Sequence, residues 1–365
     1  MTEQAVGAGR ADPGDVAVAL HLLARMNLTL TDLVDGAPAR EVPTFAELVP
    51  KVVEAMPAPS RRIYGPYWDK VLAAWGTRRL TEPDDGEVNL FLEHVRETAV
   101  VRRSSNGGNG AALHAYYALG AVFRYAVKHE LIGVRQNVMD RVSKPDKADS
   151  KRHGLSPQLV AEILTAARST GNDRALDALI LRFHLETACR TGGALALRRR
   201  DLDVDQCLVR LREKGSTQRW QPVSPTLMEY LDHHAHERGA RDEDSRVLRF
   251  ANGDPLTKKR YETLWNRVGK HVESVRVLGI SAHWLRHTTL TWVERNFGYA
   301  VSQAYAGHAA PKSNQHGVTR VYVKAGIGEV ATAVQALTRE RHPLALAPSA
   351  VIAEDDPSPL SGLAE

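Results

Sequence analysis

The stretch His283-Trp-Leu-Arg286-His287 follows Gly279-Ile-Ser-Ala, and this arrangement predicts the start of a helix. His283 and Arg286 are three positions apart, so they share one helical face. A guanidinium and an imidazole in the first turn favour phosphate binding, because the free N–H groups and the dipole of the helix attract anions. The histidine spacing matches no zinc-binding pattern, and no acid or cysteine accompanies it. The stretch therefore predicts an anion site and not a metal site.

Two further segments carry residues that suit the same ligand. Thr187-Ala-Cys-Arg190-Thr-Gly-Gly ends a predicted helix with an outward-turned arginine. Farther along the chain, Tyr305-Ala-Gly-His308 and Thr319-Arg-Val-Tyr322 add a histidine and a tyrosine before a final amphipathic helix. Each segment alone is also compatible with ordinary packing, so the prediction depends on reading the segments together.

A predicted hairpin lies between the Arg190 segment and the His283 segment. Residues 208–213 and 219–224 read as strands joined by Lys214-Gly-Ser-Thr-Gln. Alternation along the first strand places an apolar row on one face and a mostly basic row on the other. The apolar row is Cys207, Val209 and Leu211, and the basic row includes Arg210, Arg212 and Lys214. Lys214 at the turn is placed to reach a ligand over the sheet.

The remaining pattern is mainly helical and predicts five regions. They are an N-terminal arm (1–43), a bundle of about four helices (44–142), a polar linker (143–154), a second domain (155–341) and a disordered tail (342–365). Thr44 and Glu47 predict a capping box at the start of the bundle. The glycine-rich stretch 104–110 lacks a following Lys-Ser/Thr pair, so it does not predict a P-loop. In the second domain, helices are expected at 225–239, 257–275, 284–297 and 327–341.

Composition favours a soluble protein with a polyanionic partner. The chain has 365 residues and a net charge of +5, and residues 42–342 carry +12 between acidic ends. Its two cysteines form no CxxC pair, and no apolar run approaches a membrane span or a signal peptide. We therefore expect a soluble protein of a reducing compartment.

In this order, the arginine, hairpin lysine, His-x-x-Arg, Gly-His and tyrosine resemble the motifs of the tyrosine recombinase family, which includes phage-type integrases. The resemblance covers most of the chain. It implies a mainly α protein, with a helical core-binding (SAM-like) domain at 44–142 and an α+β catalytic domain with a small antiparallel sheet at 155–341. It assigns the catalytic roles to Arg190, Lys214, His283, Arg286, His308 and Tyr322.

The resemblance also implies an activity and its partners. Such an enzyme breaks and rejoins DNA through a 3′-phosphotyrosyl intermediate, with no cofactor and no metal. Its partners are double-stranded recombination sites and further copies of the chain, in a tetramer that exchanges C-terminal helices. Ile327, Val330, Val334 and Leu337 form the apolar stripe expected to make that exchange. A phage or mobile-element integrase in a bacterial cytoplasm, associated with the nucleoid and served by a directionality factor, fits this picture.

The sequence departs from the family pattern at two places. The family usually has an acid three positions after the first arginine, and this chain has Gly193 there. The stretch from His308 to Tyr322 is several residues longer than usual, which leaves Tyr305 as the alternative nucleophile. Other functions therefore stay open: a type IB topoisomerase-like or resolvase enzyme, a DNA-binding protein that has lost catalysis, or a structural helical protein.

Overall fold

The computed structural model describes residues 12–26, 41–100, 106–146, 153–212, 218–307 and 325–347. The chain divides into two compact units, Met1–Asp149 and Ser150–Glu365. Lys214, His308 and Tyr322 lie outside the described residues, as do positions 348–365 of the predicted tail.

The first unit is built from helices. The helices are α1 (Pro13–Arg25), α2 (Phe45–Ala55), α3 (Ala58–Trp75), α4 (Asp85–Glu97) and α5 (Asn109–Lys128). The capping box is confirmed at α2, where Glu47 N–H donates to the Thr44 hydroxyl at 3.3 Å and Thr44 N–H donates to the Glu47 carboxylate at 2.8 Å. No residue of α1 is buried.

Aromatic side chains fill the core of the first unit, as their helical spacing predicts. Phe45 packs between Trp75 and Phe123, with ring centroids 5.7 and 6.1 Å away. Trp68 is 1 % exposed, and its indole N–H donates to the carbonyl of Ala118 at 3.0 Å. The bundle therefore has a packed core of its own.

The second unit combines helices with a small sheet, which confirms the mainly α fold class. Its helices are α6 (Pro157–Ser169), α7 (Arg174–Thr187), α8 (Thr191–Ala196), α9 (Pro225–Glu237), α10 (Lys258–His271), α11 (Glu273–Leu278), α12 (Ala282–Ala306) and α13 (Ile327–Thr338). Its strands are β1 (Leu202–Asp203), β2 (Leu208–Arg212) and β3 (Gln218–Pro222). They form an antiparallel sheet in the order β1-β2-β3.

The two faces of β2 differ as the alternation predicts. Val209 and Leu211 are fully buried. Arg210 and Arg212 are half-buried and donate to the buried carboxylate of Asp201 at 2.9 and 2.7 Å. The basic row exists, but Asp201 neutralises part of its charge, which the alternation pattern did not reveal.

Two predicted helices have different bounds in the structure. The helix expected at 257–275 is divided into α10 and α11 by Val272, whose backbone is extended. The helix expected at 284–297 continues to Ala306 across a kink at Gly298, where φ is +80°. Only glycine adopts a φ in this region without a steric penalty, so Gly298 permits the helix to kink and to continue beyond the kink. As a result Tyr305 lies in α12.

In the single chain the C-terminal helix packs on its own unit, and its exchange with a neighbouring protomer stays a prediction. Val330, Val334 and Leu337 are buried in the core of the second unit, whereas Ile327 is 43 % exposed. A buried stripe needs no second chain to remove it from water. The predicted tail also begins too early, because His342 is 5 % exposed and its Nε2 lies 3.2 Å from the carbonyl oxygen of Cys207.

Two types of feature are absent from the described ranges. No helix within them is long and apolar enough to cross a bilayer. No group of three or more His, Cys, Asp or Glu side chains within them is arranged to hold a metal ion.

Candidate active site

Arg190 lies in the turn between α7 and α8. Ala188 ends α7 in the left-handed conformation, with φ +49° and ψ +24°. Arg190 then precedes the first turn of α8, and its carbonyl accepts from Gly193 N–H at 2.9 Å. Because an alanine adopts this backbone conformation only at a cost, the surrounding contacts must hold the turn in place.

Four consecutive backbone carbonyl groups at this turn each form a hydrogen bond with a side chain. The Glu186 carbonyl accepts from the Tyr305 hydroxyl, and the Thr187 carbonyl accepts from Arg219 at 3.1 Å. The Ala188 carbonyl accepts from Arg286, and the Cys189 carbonyl lies 3.1 Å from His184 Nδ1. The last carbonyl groups of a helix have no partner within the helix, so these contacts satisfy them. They also fix the backbone that carries Arg190.

Arg286 joins the Arg190 turn to the end of α12. Arg286 is 4 % exposed. Its two terminal nitrogens donate to the carbonyls of Ala188 and Ala306, the latter at 2.8 Å. Ala188 is two residues before Arg190, and Ala306 is two residues before His308. The planar guanidinium can hold both carbonyls at once because its donors are fixed in a fork. Arg286 thus contacts the backbone of the turn that carries Arg190.

His283 lines a groove next to the Arg190 turn. It is exposed in the first turn of α12, and its ring stacks edge-on against His287 with centroids 5.0 Å apart. The groove has a volume of about 470 Å³ and also contains Thr191, the residue after Arg190. Its other lining residues are Tyr261, Glu262, Trp265, Asn266, Ser281 and Ala282. The groove lies at the N-terminus of α12, because Ser281, Ala282 and His283 line it.

Tyr305, the alternative nucleophile, is unsuited to that role. Its side chain is fully buried, and its hydroxyl donates to the Glu186 carbonyl. Burial raises the pKa of Tyr305 well above its ordinary value, with the Glu186 carboxylate acting in the same direction. A phenol that is inaccessible and hard to ionise is a poor nucleophile. Tyr305 instead supports the end of α7.

A buried polar network lies beneath the same helix end. Glu186 is fully buried and accepts from Arg182 at 2.7 Å, from Ser224 N–H at 2.9 Å and from the Ser224 hydroxyl at 3.0 Å. Burial raises the pKa of Glu186, and these donors oppose the shift. Arg182 also donates to Glu340 at 2.7 Å. The network ties α7 to the start of α9 and to the segment after α13.

A buried histidine supports the turn from the other side. His184 Nδ1 faces a carbonyl, which can only accept, so this nitrogen carries the hydrogen. Its Nε2 then accepts from the Tyr261 hydroxyl at 2.9 Å. Tyr261 belongs to α10 and also lines the groove beside His283. The Arg190 turn is therefore linked to the groove wall through one hydrogen-bonded histidine.

Sequence reasoning missed Arg219 and His184, although Arg219 had a signal. β3 pairs Arg219 with Leu211 and Gln221 with Val209, so both polar side chains lie on the apolar face of the sheet. A charged residue on a buried face needs specific partners, which is a sign of a structural or functional role. His184 gave no comparable signal, because a histidine near a helix end is ordinary.

Comparison with known proteins connects this geometry to a family. The model of the Phage integrase family matches residues 154–324. The chain is 22 % identical over 245 residues to tyrosine recombinase XerD of Lacticaseibacillus casei, an alignment that covers 65 % of this chain and 79 % of that protein. It is 27 % identical over 140 residues to XerC of Chlamydia caviae, covering 37 % of this chain and 44 % of that one.

Solved structures share the fold. A lambda integrase dimer bound to a COC′ core site superposes with a TM-score of 0.59 at 15 % identity, covering 83 % of this chain and 86 % of that one. The XerH site-specific recombinase bound to palindromic difH substrate gives 0.55 at 16 % identity, covering 68 % and 73 %. At these identities the likeness shows a shared fold.

The chain is similar to the tyrosine recombinase, or phage integrase, family over residues 154–324, and its Xer relatives support the same family. Its class is that of the tyrosine-type site-specific DNA recombinases, as its ordered motifs predict.

Proposed function

We propose that this recombinase uses Tyr322 as nucleophile, with Arg190 and Arg286 binding the scissile phosphate. The observation that carries the proposal is the Arg286 guanidinium, which contacts the backbone two residues before Arg190 and two residues before His308. Because these segments are far apart in sequence, their meeting at one buried arginine supports a common site. The order of the motifs assigns Lys214, His308 and Tyr322 to the same site.

The chemistry follows from the charge that develops on phosphorus. The Tyr322 oxygen attacks the phosphate, the bond from phosphorus to the 5′ oxygen breaks, and a 3′-phosphotyrosyl ester forms. Two arginines stabilise the added negative charge on the non-bridging oxygens. His283 or His308 accepts the phenol proton, since a free phenol has a pKa of ~10. Lys214 donates a proton to the departing 5′ oxygen.

Rejoining reverses the same steps. A 5′ hydroxyl of another strand attacks the phosphotyrosyl ester, and the tyrosine oxygen leaves and regains its proton. The ester conserves the energy of the phosphodiester, so the exchange needs no nucleotide. Each step is carried by side chains, and none requires a metal ion.

We also propose that the chain acts as a tetramer on two recombination sites. Lambda integrase has been solved as a tetramer bound to a Holliday junction, with a TM-score of 0.59 at 14 % identity. Because α13 is part of the core in the single chain, any exchange of α13 would be a domain swap that repeats these contacts between protomers. A directionality factor and association with the nucleoid complete the proposal.

The domains take separate roles in this proposal. Residues 44–142 form the core-binding DNA domain, residues 155–341 form the catalytic domain, and residues 1–43 form an arm without an assigned role. The alternatives, a type IB topoisomerase-like or resolvase enzyme and a DNA-binding protein without catalysis, are distinguished by whether strands are exchanged between two duplexes.

The test is incubation with a suicide DNA substrate that carries a nick next to the cleavage site, in the presence of EDTA. We expect a covalent protein–DNA complex with the wild type and with Tyr305→Phe. Tyr322→Phe should form none and should bind the DNA with an affinity close to that of the wild type, since only one hydroxyl is removed. A covalent complex formed by Tyr322→Phe would contradict the proposal.

A further inference from the structure

We propose that Arg219 is a positioning residue that joins the Arg190 turn to the Gly307 turn, and thereby holds Arg190 in the absence of an acid at position 193. The inference rests on the proposed function, because it concerns the geometry of that same site. It concerns a residue outside the six to which the motifs assign a role.

Arg219 lies where a charge needs partners. It is half-buried on β3, directly opposite Leu211, on the face of the sheet that packs against the core. The neighbouring side chain on that face, Gln221, is fully buried and accepts a hydrogen bond from Arg219 Nη1. Burying a charge costs free energy unless hydrogen bonds compensate it. The position is therefore specific for a side chain that donates several hydrogen bonds.

The first partner of Arg219 is the turn that carries Arg190. Its Nη2 donates to the Thr187 carbonyl at 3.1 Å, three residues before Arg190. Thr187 is the last residue of α7, and the following residue has the left-handed conformation. Because the guanidinium is a rigid fork, the contact fixes the position of this carbonyl relative to the sheet.

The second partner is the turn that precedes His308. Gly307 has φ +65°, and a Cβ atom at this position would lie 2.5 Å from both Cδ and Nε of Arg219. Only glycine both tolerates this φ and leaves room for the arginine. The stem of Arg219 therefore packs directly on the Gly307 backbone. One side chain of β3 thus contacts two segments that carry assigned catalytic residues.

These contacts offer a substitute for the missing carboxylate. An acid three positions after Arg190 would support the guanidinium directly, and Gly193 has no side chain to do so. Arg219 and Arg286 instead hold the adjacent carbonyls of Thr187 and Ala188. In this arrangement Arg190 is oriented through its backbone, and a loss of Arg219 should misplace it without unfolding the domain.

The test compares Arg219→Ala and Arg219→Lys in single-turnover cleavage of the suicide substrate at saturating protein. Arg199→Ala is the matched control, because Arg199 is also half-buried and donates to a backbone carbonyl, that of Ala240, at 3.1 Å. We expect Arg219→Ala to cleave roughly 10- to 100-fold more slowly, the scale of a small misplacement at a catalytic site, with Arg219→Lys intermediate. The DNA affinity of both variants and the cleavage rate of Arg199→Ala should stay within about threefold of the wild type.

A substrate with sulfur in place of the departing 5′ oxygen shows whether Arg219 acts through Arg190 or through the general acid Lys214. A thiol has a pKa of about 8.5, so it leaves without a proton from a general acid. This substrate should restore cleavage by Lys214→Ala but leave Arg219→Ala slow, because Arg219 acts on the Arg190 side. The double variant Gly307→Ala/Arg219→Ala should lose less cleavage rate than the product of the losses of the two single variants. The reason is that both substitutions disturb the same contact.

The outcomes separate this inference from the proposed function. If the wild type forms no covalent complex, the proposed function fails. If the wild type cleaves and Arg219→Ala cleaves as fast as Arg199→Ala, or if the sulfur substrate restores its rate, the positioning role is wrong and the proposed function stands.

Discussion

At the scale of single residues, Arg286 has two tasks that are normally separate. Its two terminal nitrogens hold the carbonyls of Ala188 and Ala306, which is a structural task. In the proposed mechanism, the same guanidinium also binds phosphate. An arginine has five donors, so both tasks are compatible in one side chain.

This double task predicts different consequences for the two arginines. Arg190→Ala and Arg286→Ala should each slow cleavage by at least ~10²-fold, the usual loss for one transition-state donor. Arg286→Ala should also lower the unfolding temperature, because two buried carbonyls lose their partner at about 1–3 kcal/mol each. Single-turnover cleavage and thermal unfolding measure the two effects.

Arg286→Lys is the control for these variants. A lysine can satisfy one of the carbonyls, so this variant should recover part of the stability and little of the cleavage rate. Near-normal cleavage by either alanine variant would contradict the phosphate-binding role of that arginine. An unchanged unfolding temperature in Arg286→Ala would contradict the structural role.

The sequence predicts site roles for Arg190, His283 and Arg286 because motif spacing records which side chains share a helical face or a helix end. It did not show that Arg286 reaches Ala188, since a contact across 98 positions leaves no periodic pattern. For the same reason Tyr305 looked like an alternative nucleophile. Its burial depends on the continuation of α12 past Gly298, which an isolated glycine in a helical pattern does not reveal.

At the scale of elements, the C-terminal end of α7 is the part of the fold on which the site depends. Side chains from β3 and α12, and from α7 itself, converge on its last carbonyl groups. Periodicity predicted most of these helices and both strands of the hairpin. It did not predict how they meet, because packing between elements is set by contacts distant in sequence.

The stripe of α13 gives a test with an internal control. Leu337 is 1 % exposed and Ile327 is 43 % exposed, although both belong to the same predicted stripe. Leu337→Ala should destabilise the protein by about 2–5 kcal/mol, the usual loss for a buried leucine. Ile327→Ala should cost much less. Chemical denaturation of the DNA-free protein at low concentration measures both values.

The same pair of variants distinguishes packing within a chain from packing between chains. If α13 docks only on a neighbour, Leu337→Ala leaves the stability of the monomer unchanged and weakens cooperative assembly on a two-site DNA. That result would contradict the packing of α13 on its own unit.

At the scale of the whole molecule, charge is distributed in a way that suits DNA. Residues 42–342 carry a net +12, and the segments before and after are acidic. Part of the positive charge is already paired within the fold, as in the contact of Arg260 with the buried carboxylate of Asp177 at 2.7 Å. Only the positive charge that is not paired within the fold is available to phosphates. Composition alone therefore overestimates the charge that can bind DNA.

This distribution predicts binding that depends steeply on salt. Each phosphate neutralised by Lys or Arg releases counterions, so affinity for DNA should fall about 10³-fold or more between 50 and 200 mM salt. A band-shift titration over this range measures the slope. A nonspecific duplex of equal length is the control and should show a similarly steep decline at lower affinity. A flat response would contradict a DNA-binding surface built on these charges.

In the proposed mechanism, Tyr322 becomes covalently linked to the 3′ end of a cleaved strand. The most direct measurement is protease digestion of the complex trapped on the suicide substrate, followed by mass spectrometry of the peptide that carries the nucleotide. We expect a nucleotide on Tyr322, joined through its 3′ phosphate, and a free 5′ hydroxyl on the released strand. A nucleotide on Tyr305 or on any other side chain, or a linkage through the 5′ end, would contradict it.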